Sequence, residues 1–125
     1  MQKRKASADE LIALILQGIE DVKGHDTILL DLREIENTVC DYFIICNGTS
    51  NTQVNAIVGS IQKTVSKAIQ DKPWHIEGQD NAEWVLMDYV NVVVHVFQKQ
   101  IRDFYDIEGL WGDAKFTAIE SSINQ

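Results

Sequence analysis

Apolar positions recur at helical spacing in two stretches of the chain and at alternating spacing in several others. Leu11, Ile12, Ile15, Ile19 and Val22 share one face of a 3.6-residue period, so residues 8 to 23 are predicted to form an amphipathic helix. Ser7 and Glu10, three positions apart, supply a capping box at its start. Val54, Ile57, Val58, Ile61, Val65, Ala68 and Ile69 repeat the pattern behind Ser50 and Gln53, which predicts a second helix over residues 51 to 70. Strand-like runs span Asp26 to Leu32 and Tyr42 to Cys46, and a short third run through Trp74, His75 and Ile76 is opened by the sole proline, Pro73.

Two further runs, 83 to 89 and 92 to 97, are separated only by Val90-Asn91 and read as a tight antiparallel hairpin. A two-residue turn opposes Tyr89 with Val92, Met87 with Val94 and Val85 with Val96 on an apolar face. The other face then carries the pairs Trp84 with Phe97, Leu86 with His95, and Asp88 with Val93. Val90 is awkward there, because such a turn wants positive φ. Beyond the hairpin, Phe104, Tyr105, Ile107, Leu110 and Trp111 are interleaved with Asp103, Asp106 and Glu108 in a short helical segment. That is more large apolar surface than one helical stripe needs, and Tyr and Trp are residue types that anchor interfaces.

The order of elements predicts an α/β (α+β mixed) sheet of about five strands, with two long helices and the short helical C-terminal segment. The second and third strands, joined by a helix, are expected to run parallel. No repeat or linker suggests a second domain. A single domain is expected, with a core over 8–111 and flexible ends at 1–6 and 112–125. Two helices are few for both faces of such a sheet, so the mixed hairpin face is the candidate for a partly open one.

Charge narrows the partners. A formal net charge of -8 repels nucleic-acid phosphate and anionic membranes and attracts basic proteins. The cluster Lys3-Arg4-Lys5 reads as a solvated tail. Cys40 and Cys46 lack redox or zinc spacing, with Cys46 reading as core, and no signal peptide or long apolar span is visible. A reduced, cytoplasmic setting is expected, without membrane contact.

Candidate chemistry is thin. Gly48-Thr49-Ser50, between a strand and a helix, has the make-up of a phosphate-cradling turn. A helix cap needs the same residues, and no Walker or Gly-x-Gly-x-x-Gly pattern follows. A nucleotide-handling enzyme using this turn is the alternative reading, but a two-metal carboxylate set is not visible. Cys46 with His75 or His95 has no local pattern of a nucleophile and base. Asp88 and His95 are near enough in this register to interact. No cofactor or metal is expected.

The runs 44–50 (IICNGTS), 76–78 (IEG), 83–89 (EWVLMDY) and 92–97 (VVVHVF), with the ending Arg102 to Trp111, resemble the ribosomal silencing factors, also called Iojap-like proteins. The chain departs from their pattern at Val90-Asn91, where Gly-Asp is usual. The resemblance implies a nucleotidyltransferase-like fold without transferase chemistry. It also implies binding to protein L-fourteen of the large ribosomal subunit, blocking subunit joining and repressing translation when nutrients are scarce. On this reading Trp84, Leu86, His95, Phe97, Tyr105 and Leu110 are expected to be apolar or aromatic contacts, and Asp88 and Glu108 to pair with basic groups. A homodimer through the apolar hairpin face or an edge strand is a third expectation.

Overall fold

The structure, a computed structural model, describes residues 7–119. Its elements run α1 (Ala8–Asp21), β1 (His25–Asp31), β2 (Tyr42–Gly48), α2 (Asn51–Ile69), β3 (His75–Glu77), β4 (Trp84–Asp88), β5 (Val92–Gln98), α3 (Lys99–Tyr105), α4 (Ile107–Leu110) and β6 (Lys115–Ala118). Six strands form one mixed sheet in the order β3-β4-β5-β2-β1-β6. Only β2 and β5 pair in parallel; the other neighbours are antiparallel. β2 and β3 do share a direction, but β4 and β5 lie between them, so the connection through α2 leads to the far edge of the sheet.

The hairpin has the register read from its alternation: Trp84 opposes Phe97, Val85 opposes Val96, Leu86 opposes His95, Met87 opposes Val94 and Asp88 opposes Val93. Its aliphatic face, with Ile44 and Cys46 of β2, is buried under both long helices in the main core. α1 starts on the capping box at Ser7 and Glu10, both halves of which are formed. The two helices meet where α1 has no side chain. A Cβ on Gly18 would stand 2.8 Å from the Ile61 Cα, and the Ser60 hydroxyl donates to the Gly18 carbonyl at 2.7 Å.

With both helices on one side, the other side of the sheet falls to the C-terminal segment. Ile101, Ile107, Trp111 and Ala114 pack over Leu30, Phe43, Ile45, Val93 and Phe97. That cover extends over β1, β2 and β5.

One expectation is corrected. Residues 115–118, placed by sequence in a flexible tail, form β6 and pair with β1 from Asp31↔Lys115 to Ile28↔Ala118. The pairing continues as the Ile119 amide donates to the Thr27 carbonyl at 2.9 Å, and Lys115 forms an ion pair with Glu34. β6 satisfies the outward backbone groups of β1, a gain that does not depend on an apolar pattern. The ends 1–6 and 120–125 lie outside the described residues.

Candidate functional site

The mixed face of the hairpin is divided by its cover. On β5, Phe97 is 0% exposed and His95 5%, so neither reaches a partner. That corrects the expectation of two contact residues there. Both lie beneath the C-terminal segment, which the sequence left unassigned to a face. On β4, Trp84, Leu86 and Asp88 are half-buried at the border of the cover. The ring of Tyr105 on α3 lies 5.1 Å from that of Trp84. Tyr105 is 50% and Leu110 77% exposed, and Phe104 is more exposed still. The structure therefore joins Trp84, Tyr105 and Phe104 through ring contacts at the border of the cover, with Leu86 half-buried next on the same face of β4, while Leu110 stands exposed on α4 without a contact to that group. Large apolar groups without cover commonly mark an interaction site.

Arg102 holds this segment down. It is buried, and its guanidinium donates to the Asp26 carbonyl at 2.7 Å, Asn47 Oδ1 at 2.8 Å and Glu108 Oε2 at 3.0 and 3.2 Å. The fork thus ties α3 and α4 to the start of β1 and the end of β2, using the several directed donors that distinguish arginine. Glu108 is thereby engaged inside the chain, which corrects its expected role as partner for external basic groups. Sequence reasoning gave Arg102 no role beyond opening the ending that runs to Trp111. Its one available signal was an acidic partner across the next turn.

Asp88 and His95, expected to be close enough to interact, are used separately. Asp88 Oδ1 accepts from the Val90 amide at 2.7 Å, while His95 Nδ1 accepts from the Trp84 indole at 3.1 Å. The imidazole is boxed by aromatic rings, with Phe43 edge-on at 4.6 Å. Burial pushes its pKa down to about 4, so the neutral form persists.

The Gly48-Thr49-Ser50 turn is a helix cap. Ser50 Oγ accepts from the Gln53 amide at 3.1 Å. The Gln53 side chain accepts from the Thr49 amide at 2.7 Å and from its hydroxyl at 3.0 Å, and donates to the Lys23 carbonyl at 3.0 Å. The donors that a phosphate would need at Thr49 are already taken by a glutamine. Both cysteines are buried thiols, and burial raises Cys40 to about 11 and Cys46 to about 12, against the activation a nucleophile requires. Among the described residues no three His, Cys, Asp or Glu side chains come together as a metal site, and no helix is long and apolar enough to cross a membrane.

Comparison with known proteins identifies the family of the chain. A ribosomal silencing factor from Halalkalibacterium halodurans is 38% identical over 119 residues, covering 94% of this chain and 99% of the relative. A crystal structure of a Chromobacterium violaceum protein superposes with a TM-score of 0.80 at 36% identity, covering 94% of this chain and 97% of that one. A longer mouse protein, named for mitochondrial assembly of the large ribosomal subunit, is 34% identical over 86% of this chain and 46% of its own length. The family model described as ribosomal silencing factor during starvation matches residues 5–125, and the chain belongs to that family.

Proposed function

We propose that this chain is a non-catalytic factor that binds protein L-fourteen of the large ribosomal subunit, obstructs joining of the small subunit and so represses translation when nutrients are scarce. The observation that carries this reading is the exposure of Phe104, Tyr105 and Leu110, with Tyr105 packed on the half-buried Trp84, on a chain of net charge -8. Apolar anchors supply affinity, and the acidic field favours a basic protein over ribosomal RNA. Asp88 lies at the end of the same row on β4 and is the carboxylate placed to meet a basic group. The setting proposed is the cytoplasm, where the target is assembled. The test is to mix purified subunits under joining conditions and follow them on a sucrose gradient. Added protein should leave the subunits separate and travel with the large one; undiminished joining at saturating protein would contradict the reading.

A homodimer is proposed only through the end strands β3 and β6. The aliphatic hairpin face is covered by α1 and α2 and has no area to offer a second copy. Light scattering over a dilution series tests for dimers.

A further inference from the structure

The tip of the hairpin is held in a backbone conformation that its own residue disfavours. Val90 has φ 77, in the left-handed region that β-branched side chains avoid and that glycine or asparagine occupies readily. The Asn91 amide donates to the Tyr89 carbonyl at 3.0 Å, closing a three-residue turn around Val90, and the Val90 amide is fixed on Asp88 Oδ1. The Asn91 carbonyl accepts from the amides of Asp41 and Tyr42 at 3.0 and 3.1 Å. The fold over-determines this turn. Yet the valine side chain is 59% exposed, so little packing inside the chain compensates for the strain. Strain of this kind, maintained by the surroundings, is a feature of ligand contacts and active sites.

A second unshielded group stands beside it. Trp74 is 80% exposed, and its amide donates at 2.7 Å to the carbonyl of Asp88, two residues before Val90. The segments 71–74, 88–91 and 39–41 that meet here carry Asp41, Asp71 and Asp88 against one cation, Lys72. Arg33 is held by both carboxylate oxygens of Asp31 at 2.8 and 3.0 Å. An apolar spot among carboxylates repels RNA phosphate and suits a basic protein surface that offers an apolar group. Asp88, which takes the Val90 amide on its carboxylate and the Trp74 amide on its carbonyl, also ends the row Trp84, Leu86, Asp88 on β4, so the tip adjoins the end of the candidate face.

We infer that Val90 and Trp74 form a second contact patch of the docking surface, taking the basic protein surface of the large subunit. This rests on the reading under Proposed function and extends it to the hairpin tip. The test uses the full chain and purified large subunits, with binding measured by titration and stability by thermal unfolding. Val90→Gly relieves the strain but frees the unfolded chain, whereas Val90→Asn relieves it with less of that entropy loss, so at least one should melt about 2 °C or more above the wild type. Both should bind ~5-fold or more weaker, and Trp74→Ser should do the same at unchanged melting temperature. Binding equal to wild type in the Val90 variants or in Trp74→Ser, or loss of stability in both Val90 variants, overturns the inference while leaving the main face intact. A wild type that does not bind large subunits overturns both readings together.

Discussion

The indole of Trp84 donates a hydrogen bond to Nδ1 of His95 at 3.1 Å across the β4–β5 hairpin. An indole N–H only donates, so Nδ1 carries no proton and the imidazole hydrogen is on Nε2. Trp84 also stacks on Phe97 at 4.9 Å and lies under Tyr105. It is therefore the link between a fully buried aromatic layer and the accessible surface above it. A substitution at Trp84 disturbs support and contact together, and the two are separable only by choice of residue.

Trp84→Phe keeps a ring between Phe97 and Tyr105 but leaves the buried Nδ1 without a donor. An unsatisfied buried acceptor costs about 1–3 kcal/mol. Urea denaturation should show a loss of that size at an unchanged slope. An unaltered midpoint would mean that the bond contributes nothing to the fold.

His95 makes the fold sensitive to acid in a defined window. In the unfolded chain the imidazole takes up its proton near pH 6.5, and in the folded chain only near about 4. Between those values the unfolded state binds more protons, so stability is full above pH 6.5 and is lost as pH falls towards 4. The contribution is about 3 kcal/mol from a shift of this size. Carboxylates titrate in the lower part of the window, so the check is a comparison. The decline in stability from pH 7 to pH 4 should be smaller in His95→Gln than in the wild type by about that amount; parallel curves would show that His95 does not titrate differently on folding.

Arg102→Met should strand Asn47 Oδ1, the Asp26 carbonyl and Glu108. Breaking a buried, hydrogen-bonded ion pair on one side costs about 3–5 kcal/mol. The loss should be local before it is global, with hydrogen exchange rising across Lys99–Leu110 while α1 and β2 stay protected. Arg102→Lys retains charge but not the fork, and should restore less than half of the loss. Uniform protection across the chain in Arg102→Met would contradict the clamp.

Two glycines on the long helices should respond oppositely to alanine. At Gly18 a Cβ would lie 2.8 Å from backbone of α2, whereas at Gly59 it meets no atom within 4 Å. Gly18→Ala should destabilise by about 1–3 kcal/mol through overpacking of the helix crossing. Gly59→Ala should stabilise by about 0.5–1 kcal/mol through helix propensity. Thermal unfolding of both variants is sufficient to check the signs.

The register of the hairpin was legible because alternation admits one pairing once the turn length is set, and a slip of one residue would put Val85, Met87, Val94 and Val96 outside. The helices were legible from period and caps. The cover over the mixed face was not. Nothing local to Phe97 or His95 distinguishes a residue beneath a later segment from one awaiting a partner, because burial there depends on where residues 99–114 return. Glu108 was misplaced for the same reason: its partner, Arg102, is buried by long-range bonds to Asp26 and Asn47. β6 escaped notice because its four exposed residues are held by backbone pairing rather than by an apolar face. Tyr105 and Leu110 stood out in sequence by residue type, and the structure leaves both accessible.

Co-sedimentation with purified large subunits, comparing the wild type with Tyr105→Ala and Leu110→Ser, tests the central proposal most directly. Leu110 is exposed, so Leu110→Ser should unfold at the wild-type temperature, whereas Tyr105→Ala loses its ring contact with Trp84 and should melt somewhat lower while remaining folded at the temperature of the assay. At ~1–2 kcal/mol for each lost anchor, each should bind ~5- to 30-fold more weakly, with the double variant weaker still. Folded variants that sediment with large subunits as tightly as the wild type would contradict the account.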